Sequence, residues 1–195
     1  MEKGRLEAFT DGVIAIVITI MMLEIRVPRE HTLAALRPEV PLILAYALSY
    51  ANVGIFWNNH HHMLQASERV DGRVLWMNLL LLFWISLMPF TIRWMGETRF
   101  SATPTASYGV VLMLAALSYL LLEKALAACN GADSALARAV GRDGKAIASL
   151  VIYVAAIPLA YVSAWLSMGL YVVNAVTWFL PDRRIEKAGA TAKTA

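Results

Sequence analysis

Long charge-free apolar runs, separated by short charged segments, dominate the pattern of this sequence. Such runs occupy residues 40–67, 74–92, 100–122 and 146–181. A membrane-spanning helix needs about 20 apolar residues, so each of the first three runs predicts one span. The last run holds 36 residues, which suits two short spans, and we place the break at the small-residue turn 167–169. One long tilted helix there is the alternative.

A further apolar segment opens the chain, at residues 5–25 (RLEAFTDGVIAIVITIMMLEI). With this helix the sequence predicts six spans. The apolar core between Asp11 and Glu24 is too short alone to cross the hydrocarbon layer, so Asp11 or Glu24 lies near or inside it. An Asp at that depth is a candidate functional residue. The alternative places Arg5 and Asp11 at the headgroup level.

Prolines and charges set the expected ends of the later spans. Pro89 is expected to end or kink the third span and Pro158 to kink the fifth, while Glu123 and Lys124 are expected to end the fourth. We therefore predict a transmembrane domain over residues 1–182, with its longest cytoplasmic loop at 130–144. The polar residues 183–195 predict a disordered cytoplasmic tail.

Composition and charge support a polytopic all-α membrane protein. The chain is 59% hydrophobic and 16% charged, against about 25% charged residues in soluble domains. The six-span arrangement puts 12 Lys and Arg residues on the side of the termini and 5 on the other. The positive-inside rule then places both termini in the cytoplasm of a cell whose plasma membrane holds the protein. The sequence has no dense basic patch, so it does not indicate nucleic-acid binding.

The first helix carries an aliphatic stripe. At 100° per residue, Phe9, Gly12, Ile16, Ile20 and Leu23 fall within about 40° of one line, with Thr19 about 60° from it. Asp11 lies about 140° away, towards neighbouring helices. Ordinary packing also produces such stripes, so periodicity alone does not identify a pore.

Two polar clusters lie in the following spans. Residues 56–62 read FWNNHHH, and depth permits a contact between Asp11 and one of these histidines, with the others at the headgroups. Adjacent histidines point about 100° apart on a helix, which disfavours a shared metal ion. Asn78, alone in a Leu-rich span, is expected to hydrogen-bond another helix. No catalytic motif or cofactor site is recognisable, so we expect no enzyme activity and no cofactor.

These clusters together resemble the prokaryotic branch of the potassium-channel family named for transmembrane protein 175. The family opens its first helix with R-x-x-x-F-S-D, which here reads Arg5, Phe9, Thr10, Asp11, with Thr in place of Ser. The segment from Ala15 to Ile25, Trp57 with His60 and His61, and the stretch from Asn78 to Phe90 also resemble the family's first three helices. The resemblance covers the whole six-span length.

The resemblance implies a homotetramer of six-helix subunits, with the first helix lining a central pore for potassium and other monovalent cations. It places apolar constrictions at Ile16, Ile20 and Leu23, with Thr19 contributing hydroxyl groups to ion selectivity. It also implies a structural polar network that anchors the pore helix, made of Arg5, Phe9, Thr10, Asp11, Trp57, His60, His61 and Asn78. The alternative function is a proton-coupled transporter that uses Asp11 and His60.

Overall fold

A computed structural model describes residues 2–131, 134, 137 and 144–179. Within these residues the chain forms seven α-helices. They are α1 (Lys3–Leu23), α2 (Val40–Gln65), α3 (Gly72–Ser86), α4 (Met88–Glu97), α5 (Ala102–Asn130), α6 (Gly144–Leu159) and α7 (Ala164–Phe179). A 3₁₀ helix at Leu33–Glu39 leads directly into α2. The fold is all-α, as expected.

Among the described residues, four segments are long and apolar enough to cross a membrane. They are Lys3–Leu23, Leu33–Gln65, Gly72–Glu97 and Ala102–Asn130, and the shorter apolar helices α6 and α7 follow. α3 and α4 together form the third of these segments. They are separated at Leu87, and Pro89 lies in the first turn of α4. This confirms the expected interruption at Pro89, because proline lacks the N–H that a continuous helix would require.

The last apolar run forms two helices, but the predicted position of the break is wrong. The chain turns at residues 160–163, whereas residues 167–169 lie within α7. Ser167 is fully buried on the packed side of that helix, so its small size serves close packing. Pro158 lies in the last turn of α6, and the turn follows almost directly.

The fourth span is longer than predicted. α5 continues to Asn130, seven residues beyond Glu123, whose side chain is buried within the bundle. Asn130 is the last residue of α5. Its Oδ1 accepts hydrogen bonds from the backbone N–H groups of Glu68 and Arg69 at 2.8 and 2.9 Å. The predicted tail at 183–195 and most of the predicted loop at 130–144 lie outside the described residues.

The helices pack so that α1 lies against one side of the bundle. α1 contacts α2, α3 and α4, while α5 lies between α3 and α6, and α6 packs against α7. α2 and α4 approach closely at Gly96, where an added Cβ would lie 2.7 Å from the Cα of Leu42. A glycine is required there because any side chain would collide with the backbone of α2. The arrangement leaves α1 with one packed side and one open side.

Candidate functional site

The packed side of α1 follows helical spacing along its whole length. Its buried residues are Leu6, Thr10, Ile14, Val17 and Met21, each three or four positions from the next. Four of these side chains are apolar, and Thr10 is the polar exception. The packed side therefore combines an apolar contact surface with one buried hydroxyl group.

The predicted stripe lies on the open side of α1. Phe9, Ile16, Ile20 and Leu23 are all exposed in the single chain, Ile16 by 58% and Leu23 by 81%. Because such a surface is costly in water, it requires contact with lipid or with other protein chains. The grouping of these residues on one side agrees with the helical-wheel prediction.

Thr19 lies on the same open side. Its hydroxyl donates a hydrogen bond to the carbonyl oxygen of Ile16 at 2.8 Å. A hydroxyl group has one hydrogen and two acceptor lone pairs. With the hydrogen directed at the backbone, the lone pairs of Thr19 are left to face outward from the helix. Such an oxygen can contact a cation.

A buried polar chain joins α2, α3 and α1. His60 Nε2–H donates to Asn78 Oδ1 at 2.8 Å, and Asn78 Nδ2 donates to Thr10 Oγ1 at 2.9 Å. All three side chains are buried, with Asn78 and Thr10 fully so. Because the Oδ1 of Asn78 that faces His60 can only accept, this contact puts a proton on His60 Nε2, and the Thr10 hydroxyl accepts from the amide Nδ2. The predicted interhelical role of Asn78 is thus visible in its contacts.

Asp11 belongs to a second, separate contact. Its carboxylate accepts a hydrogen bond from the indole N–H of Trp57 at 2.8 Å. Trp57 in turn stacks on His61, with ring centroids 5.8 Å apart, and Gln65 donates to His61 Nε2 at 2.7 Å. The predicted contact of Asp11 with a histidine is therefore wrong in its partner. Trp57 and His60 lie three positions apart and so only about 60° from each other around α2. Trp57 faces Asp11 of α1, while His60 faces Asn78 of α3.

Two other predicted members of the network lie elsewhere. Arg5 is exposed, and within the described part of the chain its side chain makes no hydrogen bond to the network. Phe9 is 53% exposed on the open side, because it is one position from Thr10 and so about 100° away. The three adjacent histidines do not share one environment, since His60 bonds to Asn78 of α3, His61 bonds to Gln65 of α2, and the His62 ring meets His61 edge-on. Among the described residues, no three metal-ligating side chains form a cluster.

Sequence reasoning missed an ion-pair chain at the far end of α1. Glu24 pairs with Arg93 at 3.0 Å, Arg93 with Glu97 at 3.2 Å, and Glu97 with Arg26 at 2.8 Å. The spacing of Arg93 and Glu97, four positions apart on α4, was the available indication. Nothing in the sequence indicated that these two residues face the end of α1.

The comparisons with known proteins converge on one family. Residues 5–89 match the family described as endosomal/lysosomal potassium channel TMEM175. A potassium channel of Chryseobacterium sp. is 45% identical over 188 residues, which cover 96% of this chain and 98% of that protein. A potassium channel of Chamaesiphon minutus is 32% identical over 197 residues, covering 92% and 94% of the two chains.

A solved structure and a vertebrate relative extend this similarity. The crystal structure of a lysosomal potassium-selective channel TMEM175 homolog from Chamaesiphon minutus matches with a TM-score of 0.78 and 30% identity. The match covers 92% of this chain and 97% of that one. The human endosomal/lysosomal proton channel TMEM175 is 34% identical over 101 residues, which is 46% of this chain and 20% of that protein. The segment matched by the family contains both the open side of α1 and the buried polar chain.

Proposed function

This chain belongs to the TMEM175 family and is a multi-pass membrane potassium channel, not an enzyme, and from that premise we propose how it conducts. We propose that four copies assemble around a central axis and that the open side of α1 lines the pore. Ile16, Ile20 and Leu23 then form successive apolar rings. The channel conducts potassium with weak to moderate selectivity over other monovalent cations.

The observation that carries this proposal is the contrast between the two sides of α1. The packed side is anchored by a buried hydrogen bond from Asn78 of α3 to Thr10, and Asn78 is itself bonded to His60 of α2. The other side presents bulky aliphatic groups. Rings of such groups can stop conduction by excluding water from a narrow passage. One helix per chain cannot enclose a passage, so this proposal requires an oligomer.

Thr19 supplies the oxygen atoms of this pore. It lies between Ile16 and Ile20 along the open side, and its hydrogen is already donated to the backbone. A ring of these hydroxyl groups can replace part of the hydration shell of a cation. No carboxylate lies on that line of α1, which favours modest selectivity over the strong binding of a charged ring.

Charge distribution supports the orientation in the membrane. The positive-inside rule places both termini in the cytoplasm of a bacterial cell, with the outer ends of α1 and α4 facing outward. The buried polar chain and Asp11 then lie towards the cytoplasmic end of α1. Residues 183–195 are proposed to form the cytoplasmic tail.

The alternative of a proton-coupled transporter has less support from the contacts. Asp11 bonds to Trp57, and His60 bonds to Asn78, so the two titratable groups share no hydrogen bond. A proton relay through both would need a connected path between them. We therefore propose that these residues anchor the pore helix.

Potassium flux into liposomes tests the proposal through a matched pair of substitutions. Ile16→Asn should hydrate the constriction and raise flux by about tenfold or more, because a dewetted ring becomes wettable. Ile147→Asn introduces the same change at a similarly exposed position of α6 and should leave flux unchanged. Equal fluxes for the two variants, with normal assembly, would show that α1 does not line the pore.

A further inference from the structure

The packing of α1 stops before the helix does. Its last buried residue is Met21, and the following side chains, Met22 and Leu23, are 54% and 81% exposed. On the side of α4, a groove of about 400 Å³ separates the helices, with Ile16 and Ile20 on one wall and Phe90 on the other. Beyond Met21 no side chain of α1 is buried, so the residues that follow the helix supply any further contact with α4.

Ion pairs begin where the packing ends. Glu24, directly after Leu23, contacts Arg93 of α4 at 3.0 Å, and Arg26 contacts Glu97 one turn further along α4 at 2.8 Å. Arg93 and Glu97 are themselves joined at 3.2 Å. The four residues form a continuous chain of alternating charge, which we call the outer ion chain. It joins the end of α1 to α4 at two successive points.

The position of Glu24 shows why the chain matters to α1. A carboxylate at the C-terminal end of a helix faces the negative end of the helix dipole, which is unfavourable. Arg93 offsets this cost with a charge-assisted hydrogen-bonding contact. Single exposed ion pairs contribute little, but networks in which several charges share partners contribute more. The side chain of Glu24 is 22% exposed and that of Arg93 49%, so the pair lies at the surface with Glu24 as its less exposed member.

We propose that Arg93 is a positioning residue that holds the outer end of the pore helix, and with it the Leu23 ring, through the outer ion chain. This inference rests on the proposed lining of the pore by α1. Arg93 and Glu97 lie beyond residues 5–89, the segment that matches the family. The outer ion chain therefore joins that segment to the rest of the protein. Loss of the outer ion chain should increase the mobility of the last turn of α1 and leave the buried polar chain intact.

A spin label on Leu23 measures this loosening without reference to conduction. Cys129 is the single cysteine of the chain, so Cys129→Ser with Leu23→Cys gives one labelling site. In lipid bilayers, Arg93→Met should increase the mobility of the label by about twofold, as for the release of a coupled charge pair. Arg29→Met removes an arginine from the loop that follows α1, where the described residues include no ion partner for it, and should leave the mobility unchanged.

A double-mutant comparison separates the pair from general destabilisation. Glu24→Gln alone should match the effect of Arg93→Met, and the two together should add nothing, because either change already breaks the same contact. Arg93→Lys, which keeps the charge, should recover at least half of the wild-type restriction. Additive effects, or equal mobility in Arg93→Met and Arg29→Met, would overturn the positioning role of Arg93.

Ion selectivity then tests the consequence for the pore. In the unlabelled protein, Arg93→Met should lower the potassium-to-sodium permeability ratio by about twofold or more, since a mobile Leu23 ring constrains the ion less. Arg29→Met should retain the wild-type ratio. Greater label mobility with an unchanged potassium-to-sodium permeability ratio would confirm that Arg93 holds the end of α1 and would exclude Leu23 from the pore.

Discussion

Removing the side-chain amide of Asn78 should destabilise the fold more than any other single change in the buried polar chain. Asn78 is fully buried and makes two hydrogen bonds, one from His60 and one to Thr10. Asn78→Leu keeps most of the side-chain volume and removes both. The change therefore isolates the polar contribution from packing.

The expected magnitude follows from what the substitution leaves behind. Interhelical hydrogen bonds in membranes contribute about 0.6 kcal/mol each on average, so two account for about 1.2 kcal/mol. His60 Nε2–H and the Thr10 hydroxyl also lose a partner while buried, and an unsatisfied buried polar group costs about 1–3 kcal/mol. Thr10 can turn to its own helix backbone, whereas the His60 ring is enclosed. We expect a loss of about 2–4 kcal/mol, dominated by His60.

Reversible unfolding in mixed detergent micelles, followed by tryptophan fluorescence, measures this loss. Leu79→Ala, at an exposed position beside Asn78 on α3, is the control and should change the free energy of unfolding by less than about 0.5 kcal/mol. His60→Phe in the Asn78→Leu background should recover stability, because it removes the unpaired donor. A loss below about 0.5 kcal/mol for Asn78→Leu would refute the reasoning, since the two bonds would then contribute nothing.

Three further outcomes are expected. Asp11→Ala should lower the yield of assembled protein, because it leaves the Trp57 indole N–H unsatisfied; Trp57→Phe should be milder, and chromatographic mass in detergent compares them. Thr19→Val should lower the potassium-to-sodium permeability ratio by about twofold to tenfold, the equivalent of one hydroxyl contact of about 0.5–1.4 kcal/mol, and an unchanged reversal potential would assign selectivity to the apolar rings. Gly96→Ala should lower the thermal midpoint, because its Cβ would collide with Leu42 in α2, whereas Gly54→Ala meets open space and should be neutral.

The architecture was largely predictable because it depends on hydropathy. Runs of apolar residues predicted the helical segments, and charges between them predicted most boundaries. The boundary at Glu123 failed because a buried carboxylate inside α5 looks the same in sequence as one at a membrane surface. The turn before α7 failed for a similar reason, since Ser167 and Gly169 favour both turns and close helix packing.

The site was predictable only in part because side-chain partners depend on rotation about each helix. The wheel placed Ile16, Thr19 and Leu23 together, since periodicity fixes relative direction within one helix. It could not decide whether Asp11 would meet Trp57 or His60, which lie three residues apart on α2. Nor could it bring Arg93 to Glu24, because that contact depends on how α4 leaves the interruption at Leu87.

The two attachments of α1 become available at different times during biosynthesis. The buried polar chain uses Thr10, His60 and Asn78, so it can form once α3, the first half of the third apolar segment, has entered the membrane. The outer ion chain requires Glu97, which emerges from the ribosome some twenty residues later. The inner end of α1 can thus be anchored while its outer end is still unattached. A chain that pauses between these two points therefore carries a first helix that is anchored at its inner end alone.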